Sequence, residues 1–417
     1  MGSFEVAAPP RALSRIPPVL ALAAGVAALC LLGTAIAAGT LLVRGARADV
    51  PGGEFAATYA AGTLARTGLH ASLYDAQAQA FVQRVAQDAA TRPATAFVAP
   101  AGVAWLAAPL SNLPYGIAYV LVALLDAALI ALGAKLLSEH LARVPAWPRR
   151  VLVGGFALST PAALSAGGAR LDGVVFLSLL GGYLLLRRDR EAMAGVALAP
   201  ALVAPGALAG VVLMLLAWRQ WKTLATLGGC ALVACAPELA GGARNHVALA
   251  LRDAWRPLLS GEVSASAGLR GLLAGALGAD HAALWAPGAL LLAVGALLAV
   301  RAPWRLARDG TTPADQSYAL AVLLPLLLWP APSPAALLVL FIPGAIALRG
   351  FFRPDIPDAD AADRQEAALV AILAGYATLS VAWLLATRGV TLWVFISAAA
   401  LGGCAWRWPG AQAPARA

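Results

Sequence analysis

Five stretches of this chain, 20–43, 115–134, 223–240, 284–300 and 367–386, each approach the roughly 20 apolar residues that an α-helix needs to cross a bilayer. Inside hydrocarbon no water satisfies the backbone, so a spanning segment without a barrel's strand pattern must be helical. Composition points the same way. Hydrophobic residues make up 61% of the 417 positions and charged ones only 12%, with a mean hydropathy of +0.77. A soluble domain carries about twice that share of charge. The chain is therefore read as an all-α, polytopic integral membrane protein.

Arg11 and Arg15 precede a first apolar run that is longer than the core of a cleavable signal, so the run reads as a retained first span. With the N-terminus inside, the spans fall at 20–43, 115–138, 151–167, 171–186, 192–203, 205–217, 223–240, 284–300, 317–329, 335–348, 366–386 and 390–406. Prolines at 205, 330, 332 and 334 break two pairs of these into hairpins or half-helices. About twelve helices result. The connecting segments on the inner side then hold 18 of the 30 Lys and Arg residues. Nine of the outer basic residues lie in two long loops, where the positive-inside bias has little force. The assignment puts a cytoplasmic N-terminus at 1–19, a first periplasmic loop at 44–99, a second at 241–283 and a cytoplasmic C-terminus at 407–417 of a multi-pass inner-membrane protein.

The formal charge of +9 raises the question of nucleic acid, but the basic residues sit in short clusters between apolar segments. They act as a topology signal, and no nucleic acid partner is expected. Cys30, Cys230, Cys235 and Cys404 lie in or beside apolar segments without the spacing of a metal site. The Asp-x-Asp of Asp358-Ala359-Asp360 lies in the inner loop 350–365, which reads as a solvated connector and not as a sugar-nucleotide site, so no metal or other cofactor is expected.

Residues 44–99 are the most polar long stretch. Phe55, Tyr59, Leu64 and Leu69 recur at nearly helical spacing, which predicts an amphipathic helix on the membrane surface. Gly68 ends it, Leu73-Tyr74-Asp75 follows, and a second polar helix runs from 76 to about 91. Trp105–Leu110 and Leu113-Pro114-Tyr115 are apolar but broken by prolines, as in a dipping segment or a short span.

In order and spacing, Gly53-Glu54-Phe55, Tyr59-x-Ala61-Gly62, Gly68, Leu73-Tyr74-Asp75, Phe97-x-x-Pro100, Pro109-Leu110 and Leu113-Pro114-Tyr115 resemble glycosyltransferase family 87. That family includes bacterial polyprenyl-phosphate-mannose-dependent mannosyltransferases of the GT-C class. The resemblance implies a GT-C-like bundle with amphipathic helices in the first outer loop. It also implies a polyprenyl-phosphate sugar as donor, a lipid or glycan acceptor, and contact with membrane lipids. An acidic residue of the first outer loop would take the acceptor's proton while the lipid phosphate departs with inversion.

On this resemblance Glu54 stands where the family usually has Asp before Phe, and is the expected catalytic base, with Asp49 as substitute. The other reading of Glu54 is a solvated or helix-capping carboxylate. Tyr59, Tyr74 and Asp75 suit a sugar or acceptor pocket, although interfacial tyrosines also anchor helices. His70, in the same loop, is expected to be exposed. Arg170 and Asp172, at the turn between the third and fourth spans, either meet the donor phosphate or pair locally to cap the turn. Ala169 and Ala204 stand where the family carries a Gly-Gln and a Lys-Pro, so one phosphate cation is missing. Arg244 or His246, clustered with Glu238 and Asn245, could supply that charge. Asp126, inside the second span, reads best as a hydrogen-bonding group between helices. The leading reading is a hexosyltransferase, mannosyl by the family's example. The alternatives are a lipid-linked-sugar transporter or flippase, or a family member that binds without turnover.

Overall fold

A computed structural model describes residues 18–47, 53–87, 94–240, 312–328 and 335–352. Asp49, Arg244, His246, the second long loop and the spans expected at 284–300, 366–386 and 390–406 lie outside the described residues. Every regular element among the described residues is helical. In chain order they are α1 (Pro18–Ala46), α2 (Glu54–Arg66), α3 (Ala76–Gln87), α4 (Ala101–Ala107), α5 (Tyr115–His140), α6 (Ala146–Ala157) and α7 (Thr160–Gly168). Then come α8 (Asp172–Leu186), α9 (Glu191–Leu198), α10 (Pro205–Ala217), α11 (Trp221–Ala240), α12 (Thr312–Leu328) and α13 (Phe341–Phe351).

Two described segments are each long and apolar enough to cross a membrane, Tyr115–His140 and Ala146–Gly168. The first starts where Pro114 frees the chain into a 26-residue helix, about 39 Å long at 1.5 Å per residue. Its Ile117, Leu121, Leu124, Leu125 and Leu132 all point outward and stay exposed. A continuous apolar face of this kind belongs against lipid rather than water.

The second segment was expected as one helix over 151–167 and is instead two. α6 ends at Ala157, and Ser159 restarts the chain by accepting the Ala162 N–H on its hydroxyl, with Pro161 in the first turn. Pro suits a first helical turn but removes the N–H and crowds the carbonyl that a continuing helix would need. The break expected at Pro205 is present. A 3-10 stretch over Ala199–Val203 separates α9 from α10, which begins on that proline.

Small residues bring the helices together, as they do in lipid, where no hydrophobic force acts between helices. Thr34 and Thr160 share a 2.9 Å hydrogen bond between α1 and α7. A side chain on Gly167 would come within 2.8 Å of the Ala38 carbonyl oxygen. Gly210 of α10 lies directly on the Ala321 carbonyl of α12. Below these contacts Phe156 and Phe176 meet at 4.4 Å, and Phe156 meets Phe341 at 5.1 Å. Leu179, Leu198, Met214, Leu215 and Tyr318 complete this buried core.

The first loop folds as a layer of its own. The stripe on α2 faces protein: Phe55 and Leu64 are buried, Tyr59 is half-buried, and only Leu69 past its end is exposed. Gly62 lets α2 sit on α4, since a Cβ there would lie 2.7 Å from the Ala107 carbonyl oxygen. In α3 the pattern is inverted. Gln79, Gln83 and Gln87 are buried and bonded to Leu73 O, Thr95 and the Tyr115 hydroxyl, while Phe81 and Val85 are exposed. α4 has seven residues, about 10 Å, and so cannot cross a bilayer.

A Gly210→Val substitution, which forces α10 off the Ala321 carbonyl, should destabilise the detergent-solubilised protein by about 1–3 kcal/mol. Gly229→Ala, where a Cβ meets nothing within 4 Å, should leave the melting temperature unchanged or slightly raised. Equal melting of the two variants would contradict the α10–α12 contact.

Candidate functional site

The site is built on the turn Gly168-Ala169-Arg170-Leu171-Asp172 between α7 and α8. α7 ends with Ala169 N–H on Ala166 O and Arg170 N–H on Ser165 O, at 3.2 and 3.1 Å. Arg170 is flanked by two left-handed residues, Ala169 at φ 49° and Leu171 at φ 62°. Such a conformation costs about 1–2 kcal/mol for a residue with a Cβ, so the surroundings must impose it.

Those surroundings come from α5. Asp126, fully buried, accepts the Ser165 hydroxyl on Oδ2 at 2.5 Å and the Gly173 N–H on Oδ1 at 2.9 Å. One carboxylate thereby ties the end of α7 and the start of α8 to the same helix. The Tyr119 hydroxyl adds a third tie, donating to Gly167 O at 2.7 Å. The interhelical hydrogen-bonding role expected for Asp126 is what its geometry displays.

Held this way, Arg170 extends its guanidinium between two carboxylates. Nε donates to Asp172 Oδ2 at 3.4 Å, and Nη2 pairs with Glu54 Oε1 at 2.5 Å. Glu54 comes from a position 116 residues away, the first residue of α2, where a helix N-terminus favours negative charge. The side chains are 52%, 25% and 12% exposed for Glu54, Arg170 and Asp172, a descent from the open surface into the protein. Burial works to lower the Arg170 pKa. The charges of Glu54 and Asp172 outweigh it, and the net shift is upward.

Beside the ion pairs stands an aromatic wall. Phe55 lies 5.2 Å from Tyr115 and 5.3 Å from Tyr119, and Tyr59 lies 5.3 Å from Tyr115. Ala169 and Leu171 of the turn pack against this group. The Tyr59 hydroxyl donates to Leu113 O at 2.8 Å. Burial pushes its phenol pKa up, and the nearby Arg66 offsets part of that.

Of the residues singled out in the sequence, the structure joins Glu54, Arg170 and Asp172 directly, with Tyr59 in the adjoining wall. Both Arg170–Asp172 alternatives keep a footing, since the local pair forms and Arg170 also reaches outward. Tyr74 and Asp75 sit in a neighbouring layer. The Tyr74 hydroxyl bonds Ala99 O at 3.0 Å, and Asp75 receives the Gln77 N–H at 2.7 Å, capping α3. His70, expected to be exposed, is half-buried and stacks on Trp105 at 4.9 Å, because the loop folds back onto α4. Of Glu238 only the backbone, in α11, is described. Sequence reasoning missed Tyr119, Ser165 and Gly173. Tyr115 and Tyr119 stand four apart at the start of α5, a spacing that puts both rings on one helix face.

Chemically, the cluster offers an exposed carboxylate that can take a proton and a cation that can meet an anion. Among the described residues no group of three or more His, Cys, Asp or Glu side chains could hold a metal ion.

Asp126→Ala leaves the Gly173 N–H and the Ser165 hydroxyl without their acceptor and should cost about 2–4 kcal/mol of stability. Gly173→Ala puts a Cβ 2.6 Å from Asp126 Oδ1 and should weaken folding in the same direction. Thermal unfolding in detergent measures both, and wild-type melting of either variant would show that α5 does not hold the turn.

The sequence profile of glycosyltransferase family 87 matches residues 97–330, more than half of the 417-residue chain. No curated protein and no solved structure matches. The matched region starts at Phe97 and so takes in Tyr119, Asp126, Ser165, Arg170 and Asp172, while Glu54 and the rest of the first loop precede it. With its apolar, outward-facing helices, the chain belongs to glycosyltransferase family 87 and is a membrane glycosyltransferase.

Proposed function

We propose that this glycosyltransferase moves a hexose from a polyprenyl-phosphate donor to a lipid or glycan acceptor at the outer face of the inner membrane. The observation that supports it is the meeting of Glu54, Arg170 and Asp172. A carboxylate on a loop helix and a cation in a fixed turn are the two groups that inverting transfer from a lipid phosphate needs.

Glu54 takes the proton of the acceptor hydroxyl. The acceptor oxygen attacks the anomeric carbon, and the carbon–oxygen bond to the lipid phosphate breaks, its electron pair leaving with the phosphate. The Arg170 guanidinium stabilises the departing anion, a role that suits its planar fork of donors. Asp172 fixes the guanidinium through Nε. Tyr59 contributes an aromatic face toward the sugar, and Tyr74 with Asp75 shapes the loop that receives the acceptor. Asp49 is the reserve base, and Arg244 and His246 are the reserve cations. Mannose is the sugar of choice by the family's example. In this reading the bundle is of the GT-C kind with about twelve crossings, periplasmic loops at 44–99 and 241–283, and both termini cytoplasmic.

Purified protein supplied with a polyprenyl-phosphate hexose and a lipid acceptor should consume donor. Glu54→Gln should slow that turnover by roughly 10²–10⁴-fold, the contribution of a positioned general base. Turnover unchanged in the variant would rule Glu54 out as the base.

A further inference from the structure

The proposed base and the proposed phosphate cation are each other's partner: Glu54 Oε1 lies on Arg170 Nη2. While that contact stands, the guanidinium occupies the oxygen that would receive a hydroxyl hydrogen, and the carboxylate occupies the nitrogen that would meet a phosphate. The two functions therefore conflict as long as the pair stands. Resting on the reading above, we propose that the donor phosphate displaces Glu54 from Arg170, so that the base is released only when the donor is bound.

Several features make Glu54 the group that moves. Arg170 has two carboxylate partners and one charge, so one carboxylate is in excess. The Asp172 side chain is only 12% exposed, beneath the turn, and letting it go would strand a largely buried charge. The Glu54 side chain is 52% exposed, so water can take over its solvation at little cost. The guanidinium itself stays where it is. Its Nε is held by Asp172, and its backbone is fixed by Ser165 O, by two left-handed neighbours and by the Asp126 bond to Gly173 N.

The competition favours phosphate. A phosphate accepts two parallel N–H bonds from an arginine, and Nη1 has no partner among the described residues. A phosphate that takes Nη1 together with Nη2 replaces Glu54 on the latter. The freed carboxylate then has both oxygens open to an incoming hydroxyl. Donor binding thus prepares the base for an acceptor that arrives second. Without donor, Glu54 stays paired and an acceptor hydroxyl, or water, is not activated.

The decisive experiment is equilibrium binding of a short-chain polyprenyl monophosphate to the full-length protein in detergent, with the corresponding free prenol as the control for the apolar chain. Wild type should bind the phosphate more tightly than the prenol. Glu54→Gln removes the competitor and should tighten phosphate binding about fivefold, the equivalent of a partly exposed ion pair of about 1 kcal/mol. Arg170→Gln should weaken it at least tenfold, the apolar chain keeping the affinity measurable. Adding Glu54→Gln to Arg170→Gln should then change nothing, because Glu54 acts through Arg170. Unchanged or weaker binding by Glu54→Gln overturns the exchange, and so does tightening that persists in the double variant, which would reflect charge alone. Wild-type binding that does not distinguish the phosphate from the prenol overturns the lipid-phosphate reading itself.

Discussion

A single carboxylate in the middle of the apolar helix α5 organises the rest of the site. Asp126 has no water to turn to, so its oxygens take a hydroxyl from α7 and a backbone N–H from α8. Those two bonds close a turn that its own residues disfavour, with Ala169 and Leu171 both left-handed. Without that closure Arg170 would have no fixed direction, and the ion pairs on either side of it would have no anchor. An acid within an apolar span usually marks either function or structure. Here the two bonds show the structural role.

The remaining contacts follow a division of labour set by the solvent. Helices that meet inside the bundle do so through glycine, alanine and hydroxyl groups, as at Gly167 on Ala38 and Thr34 on Thr160. The outward leucines of α5 stay exposed. In the first loop polar groups take over the interior. The row of glutamines on α3 satisfies backbone carbonyls and a tyrosine hydroxyl, while Phe81 and Val85 face out. α3 thus differs from α2, whose apolar stripe is covered by protein.

The chemistry follows from this placement. Glu54 comes from the first loop and Arg170 from the turn between α7 and α8, so their meeting joins two regions far apart in the chain. Asp172 secures the guanidinium from beneath, leaving the exposed side to an exchange of anions. In the proposed transfer from a lipid phosphate, such an exchange would free the cation for the leaving group when the base acts.

Membrane character, helical class and most helix boundaries could be read from the sequence, because hydrocarbon leaves the backbone few options and prolines mark where helices stop. Pro114 and Pro205 begin α5 and α10 as expected. The order of the first-loop motifs suggested the family, and the match over 97–330 agrees. The sequence also singled out Glu54, and it offered a local pairing of Arg170 with Asp172. The association of Glu54 with them was beyond it, since contact across 116 residues depends on how α2 is laid over the end of α7. The break at Ser159 escaped a hydropathy reading because apolar content does not change across it. The orientation of α2 escaped for a related reason: its stripe shows that one face is buried but not whether lipid or protein buries it. Periodicity and length are local and survive in one dimension. Which carboxylate meets which cation is a property of packing, and only the tertiary structure decided it.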